Sequence, residues 1–250
     1  MIRVSASAFD IVWTDLGFAR PPGVLSLRSV GATDDERGAI RDAVYDNLAE
    51  RGLFEGGRLD ATLRSRLELL ASARVYVECE ALVEMDDETP LRAVSASLGK
   101  QTVLAAQPGR TIGLSGVRDG ELFSSIVGLL PELRPGPGYG VSLPASALAG
   151  GVEDPVFSGS AAKHSVVHER QLREVLAIQA RPVSGAGQFT VRVRGAGGKL
   201  RRAGGVSWFT TDVGSYSGMV TPGRGGQDWM SVAPTDAPRL TERLASLLQD

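Results

Sequence analysis

The hydrophobic period of this chain switches from 3.6 residues to 2 and back twice, in the same order each time. Helical spacing runs through about 5–17, 34–51 and 60–71, the second segment opened by the capping box Thr33-Asp34-Asp35-Glu36 and closed at Gly52. At residue 75 alternation begins: Val75, Val77, Cys79 and Ala81 share one face of a strand, Tyr76, Glu78 and Glu80 the other. Strands follow at about 91–98, 101–107 and 111–116, and a helix from Asp119 to Leu130 ends the unit before Pro131. Past the connector Arg134 to Gly140 and a Gly/Ser/Ala-rich loop at 150–164, a helix at about 165–180 leads to strands at 187–194, 200–211, 215–221 and 227–232. A helix from Asp236 to Leu248 closes the second unit.

The two passes superpose. Leu122, Ile126, Leu129 and Leu130 fall on Leu240, Leu244, Leu247 and Leu248, and Val75, Val77 and Cys79 fall on Phe189, Val191 and Val193. Hairpin loops absorb the small length difference between these anchors, because closure entropy grows slowly with loop length. The expectation is one α+β domain over 1–250, with a pseudo-two-fold repeat of halves at about 1–131 and 132–250. A central, mostly antiparallel sheet would carry flanking helices. The acidic face of the first strand (Glu78, Glu80, Glu84) and the basic stretch Arg192, Arg194, Arg201 and Arg202 are expected side by side near the pseudo-axis. Each such cross-strand pair adds a few tenths to ~1 kcal/mol.

The chain offers little material for catalysis. One cysteine excludes an internal disulfide framework, and two histidines leave little for a metal centre. His164 and His168 stand at i, i+4, but without the inner Glu of a zinc-protease helix and without a third histidine. Gly113-Leu114-Ser115-Gly116-Val117 breaks the nucleophile-elbow pattern at its last position. Gly195 to Lys199 lacks the phosphate-loop frame. A net charge of -2 gives no global reason to expect nucleic acid, and the Arg192 to Arg202 stretch has no interleaved aromatic platform. No apolar run has signal-peptide or membrane-spanning length, so a soluble, cytoplasmic protein is expected. No catalytic, cofactor-binding or metal-binding residue is assigned. Two alternatives stay open: a nucleic-acid-binding regulator using the helices at 34–51 and 60–71 with the basic hairpin, and a hydrolase using Ser115 or a metal at His168.

Several segments carry a family likeness: Phe9-Asp10-Ile11-Val12-Trp13-Thr14-Asp15-Leu16-Gly17, Glu36-Arg37, Arg51-Gly52-Leu53 and Leu129-Leu130-Pro131. So do Pro135 to Pro144, Gly187-Gln188-Phe189, Trp208 to Tyr216, and Trp229 to Leu248. In order and spacing the sequence resembles the EspG family, cytosolic substrate chaperones of actinobacterial type VII (ESX) secretion. The resemblance implies a pseudo-symmetric α+β fold that binds a helical secreted substrate, PE/PPE-like or WxG-type, and keeps it soluble for export. It leaves a homodimer open. It further implies that a loop between early sheet strands, here Met85 to Pro90, and the later part from about Val156 to Arg181 contribute to the partner surface. The residues expected there are Leu82, Glu84, Met85, Asp86, Asp87, Glu88, Val156 and Phe157.

Overall fold

The computed structural model describes residues 1–145, 166–223 and 226–249, with backbone alone at 166–170. Strand β1 (Ile2–Ser5) runs directly into helix α1 (Ala6–Asp15), and Ser5 caps that helix by accepting a hydrogen bond from the Ala8 amide at 3.0 Å. Helix α2 (Asp34–Glu50) starts on Thr33, whose hydroxyl accepts from the Glu36 amide. The Glu36 carboxylate reaches back to the Ala32 amide at 2.8 Å, one residue beyond the reciprocal bond the sequence predicts. A small hairpin, β2 (Phe54–Glu55) and β3 (Arg58–Leu59), precedes α3 (Ala61–Ser72), which buries Leu63, Leu67 and Leu70. Strands β4 (Val75–Leu82), β5 (Leu91–Leu98), β6 (Gln101–Gln107) and β7 (Thr111–Val117) form the first meander.

The first closing helix, α4 (Leu122–Val127), is shorter than expected. Asp119 is not its cap: Gly120 takes φ 83°, and a turn from the Glu121 amide to the Arg118 carbonyl fills the predicted first turn of helix. At the other end Leu129 and Leu130 bond to Ile126 and Val127, three residues back, so the last predicted turn tightens out of α-helix. The second half comprises β8 (Val141–Pro144), α5 (Val166–Gln179), β9 (Val183–Arg194), β10 (Leu200–Thr211), β11 (Gly214–Pro222), β12 (Asp228–Pro234) and α6 (Ala237–Ser246). Asp236 caps α6 as predicted, accepting from the Arg239 amide at 2.9 Å. Periodicity had not revealed β1, β8 or the β2–β3 pair, which are too short to show alternation.

Among the described residues, ten strands form one sheet in the order β1-β7-β6-β5-β4-β9-β10-β11-β12-β8, every ladder antiparallel. The β4–β9 pair stands in the middle. Outward from it each side runs through its meander in chain order and ends on a strand that precedes that meander in sequence. Val77 lies directly opposite Val191. Glu78 takes the Arg192 guanidinium at 2.7 Å across the same ladder, as the charge pattern anticipates. Glu80 turns instead to Arg92 on β5 at 2.8 Å. Among the described residues Arg194 has no carboxylate partner: it donates to the Ala71 and Ala73 carbonyls and the Tyr76 hydroxyl, joining the second half to the C-terminal end of α3.

The face carrying Glu78 is not a bare surface. On that side Tyr76, Val94, Ala96, Val103, Ile112 and Leu114 pack with α1, α2 and α3 into one core. On the other side Val77, Cys79, Phe189, Val191, Val206 and Trp208 pack with Ile126 of α4 and with Leu240 and Leu244 of α6. The structure is therefore α+β, a large antiparallel sheet with helices on both faces.

Candidate partner-binding site

The segment expected at a partner surface, Glu84 to Glu88, is a tight exposed turn. The Asp87 carboxylate accepts from the Glu84 amide at 3.0 Å, and the Asp87 amide donates to the Glu84 carbonyl. The Met85 amide donates to the Ser184 carbonyl at 2.9 Å, which ties the turn to the start of β9. That approach depends on Gly185, where a β-carbon would run into the Val83 carbonyl oxygen. Met85 is left 46% exposed, while Leu82 is half-buried at the end of the β4–β9 ladder. Asp86 and Glu88 are exposed. Val156 and Phe157 lie outside the described residues, as do His164 and the 150–164 loop.

In the second half, a groove of about 570 Å³ lies between α5 and the strands β10 to β12. Val175 and Ile178 form one wall, and Phe209, Val220, Met230 and Val232 line the strand side. Gly205 and Gly218 also line it, and a β-carbon at Gly205 would run into the Arg202 guanidinium. Val220 is 55% exposed and Leu176 40%. These residues were not singled out from sequence. The available signal was the pair Gly204-Gly205 in an otherwise β-rich run, which marks a strand that leaves room for another surface.

Titratable chemistry is sparse here. Burial, with Glu80 adding to it, pushes the Cys79 thiol up to about 12, far from a reactive thiolate. Ser115 sits in mid-ladder opposite Leu104, with no strand–turn–helix elbow beneath it. Among the described residues no three His, Cys, Asp or Glu side chains gather as metal ligands, and no helix is long and apolar enough to cross a membrane.

The segments that carry the family likeness turn out to be joints of the architecture. Asp10 accepts Arg37 at 3.3 Å, and Asp15 accepts Arg41 at 2.7 Å and the Tyr45 hydroxyl at 2.9 Å, locking α1 to α2. In the β10–β11 turn Thr211 accepts from the Val213 amide and donates to the Gly214 carbonyl. Phe209 stacks on Tyr216, whose hydroxyl donates to the Pro137 carbonyl at 3.1 Å and holds the Pro/Gly connector. A chain using these joints in this order over nearly its whole length matches the model of the EspG family, over residues 5–246. The chain belongs to the EspG family.

Among solved structures it is similar to the Mycobacterium tuberculosis type VII secretion system chaperone EspG5, in a structure described as its complex with the PE25–PPE41 dimer. The TM-score is 0.71 at 16% identity, covering 99% of this chain and 95% of the other. At that identity the likeness concerns the fold. No curated protein sequence matches the chain.

Proposed function

We propose that this EspG-family protein is a non-enzymatic, cytoplasmic chaperone of type VII secretion, holding a helical PE/PPE-like or WxG-type guest until export. Membership of the family over residues 5–246 is the observation that carries this reading. The groove supports it: its lining combines apolar side chains such as Ile178, Val220 and Met230 with polar ones such as Gln179 and Gln188, which suits a helical guest. In this reading Val220, Met230 and Ile178 supply the apolar anchors. Met85 stands at the turn beside β9, with Leu82, Glu84, Asp86, Asp87 and Glu88 around it; Val156 and Phe157 are assigned to the same partner surface from the family resemblance alone. The halves 1–131 and 132–250 act as two copies of one unit in a single domain, a reading supported by the matching strand order on either side of β4–β9.

Affinity capture of the tagged protein from its native host, followed by mass spectrometry, tests the function. Small helical PE/PPE-like or WxG-type proteins should be recovered. Their absence under conditions that retain weak complexes overturns the proposal.

A further inference from the structure

A second surface lies at the projecting end of the β9–β10 hairpin. From Pro182 to Thr211 the chain has no acidic residue but carries Arg192, Arg194, Lys199, Arg201 and Arg202. Two of these are committed within the fold, Arg192 to Glu78 and Arg194 to α3. Lys199, Arg201 and Arg202 are exposed, and none of the ion pairs among the described residues includes them. Arg202 even stands directly opposite Arg192, a like-charge placement that costs stability. Leu200, between the cations, is 44% exposed.

The backbone there is also unfinished. The β10–β11 ladder begins at Val206 opposite Met219, so Leu200 to Gly205 pair with β9 alone. The bulge between Arg202 and Gly204 sits within this stretch. An unpaired strand edge is a template for another strand. Three uncompensated cations beside it repel the same edge of a second copy and select a strand of opposite charge.

We propose that residues 199–205 bind an acidic, extended segment of a partner protein as an added strand, at a surface that adjoins the guest groove, which Arg202 to Gly205 also help to line. The backbone amides of the edge supply register, the cations supply selectivity, and Leu200 receives an apolar side chain of the segment. A nucleic acid fits less well. The hairpin tip offers no aromatic ring on which a base could stack.

The test uses the full chain and a short fluorescent peptide of alternating Glu and Leu, with a single-stranded oligonucleotide of matched charge as the competing arm. Anisotropy should show peptide binding that weakens as salt is raised. K199E/R201E/R202E should weaken it by about tenfold or more, since like-charge juxtaposition at an interface costs several kcal/mol. R110E, at an exposed site elsewhere, should leave it unchanged. Hydrogen exchange should slow at the 200–205 amides when peptide is bound. The glutamine triple variant, with its circular dichroism compared with that of the parent, guards against a misfolded reversal mutant and should also weaken binding. No peptide binding, binding indifferent to the triple substitutions, unchanged exchange at 200–205, or tighter binding of the oligonucleotide overturns the proposal.

Discussion

Arg194 links the two halves through a single side chain. Its guanidinium donates to three backbone carbonyls, of Ala71, Ala73 and Gly198, and to the Tyr76 hydroxyl at 2.7 Å. The carbonyls of Ala71 and Ala73 belong to the end of α3, where a cation also meets the negative pole of the helix. Hydrogen bonds to charged groups are each worth more than neutral ones, and the groups left behind are partly buried. Arg194→Ala should therefore lower unfolding free energy by about 2 kcal/mol, read as a reduced urea midpoint, and Tyr76→Phe by about 1 kcal/mol. Two further residues contribute to stability at alkaline pH. Burial raises Cys79 from 9.0 to about 12; burial and then the hydrogen bond to Asp15 raise Tyr45 from 10.0 to about 12. Both folded values lie above the unfolded ones, so the neutral forms stabilise the fold fully below pH 9. That contribution is lost as pH rises through 9 to 12, for Cys79 first and for Tyr45 above 10. Chemical unfolding at stepped pH should show stability declining across this window, and Tyr45→Phe should flatten its upper part. For the same reason the Cys79 thiol should resist a thiol reagent at neutral pH in the folded protein and react promptly once denatured.

At the scale of elements, legibility in the sequence followed the range of the interaction. Caps are local, so Thr33 and Asp236 could be read directly, and Gly52 takes the positive φ of 66° expected where α2 ends. Helix α4 could not be read as well. Its leucine spacing continues past both ends, yet Gly120 permits a turn before it and tightened turns follow, while Leu130 still reaches the core. Hydrophobic spacing marks which side chains point inward, not whether each intervening turn is α-helical. The candidate site divides in the same way. The 84–88 turn was visible from its acidic residues, whereas the groove joins α5 to three strands distant in sequence. Two substitutions test it. Gly185→Ala should push the Met85 turn away from β9, costing about 1–3 kcal/mol as overpacking does, with weaker guest retention. Val220→Asp, at an exposed groove position, should leave the thermal midpoint nearly unchanged and reduce guest recovery in co-purification.

For the molecule as a whole, the decisive feature is the β4–β9 ladder with the two cores on either side of it. The second core takes residues from both halves: Val77, Cys79 and Ile126 from the first, Phe189, Trp208 and Leu240 from the second. A half expressed alone would expose its share of that core and a long unpaired edge at β4 or β9. We expect one cooperative urea transition, coincident by tryptophan fluorescence and far-UV circular dichroism. The fragments 1–131 and 132–250 should each fail to fold alone. Two separate transitions, or a soluble folded half, would contradict this joining of the halves.

Taken alone, the amino-acid sequence determined the order of the elements, their inward faces, the caps, the poverty of catalytic groups and the likeness of the two passes. These properties are set by residues within a few positions of one another, or by composition. Only the tertiary structure decided that β1 and β8 complete the sheet as its outer edges, and that Glu80 pairs with Arg92 while Glu78 alone takes Arg192. It also decided that Arg194 caps a helix of the other half and that a groove opens beside α5. Each of these depends on the register between strands far apart in the chain. A shift of one residue in that register exchanges the faces of a whole strand. The chain's local pattern prescribes alternation; packing on both faces of the sheet selects which residues meet.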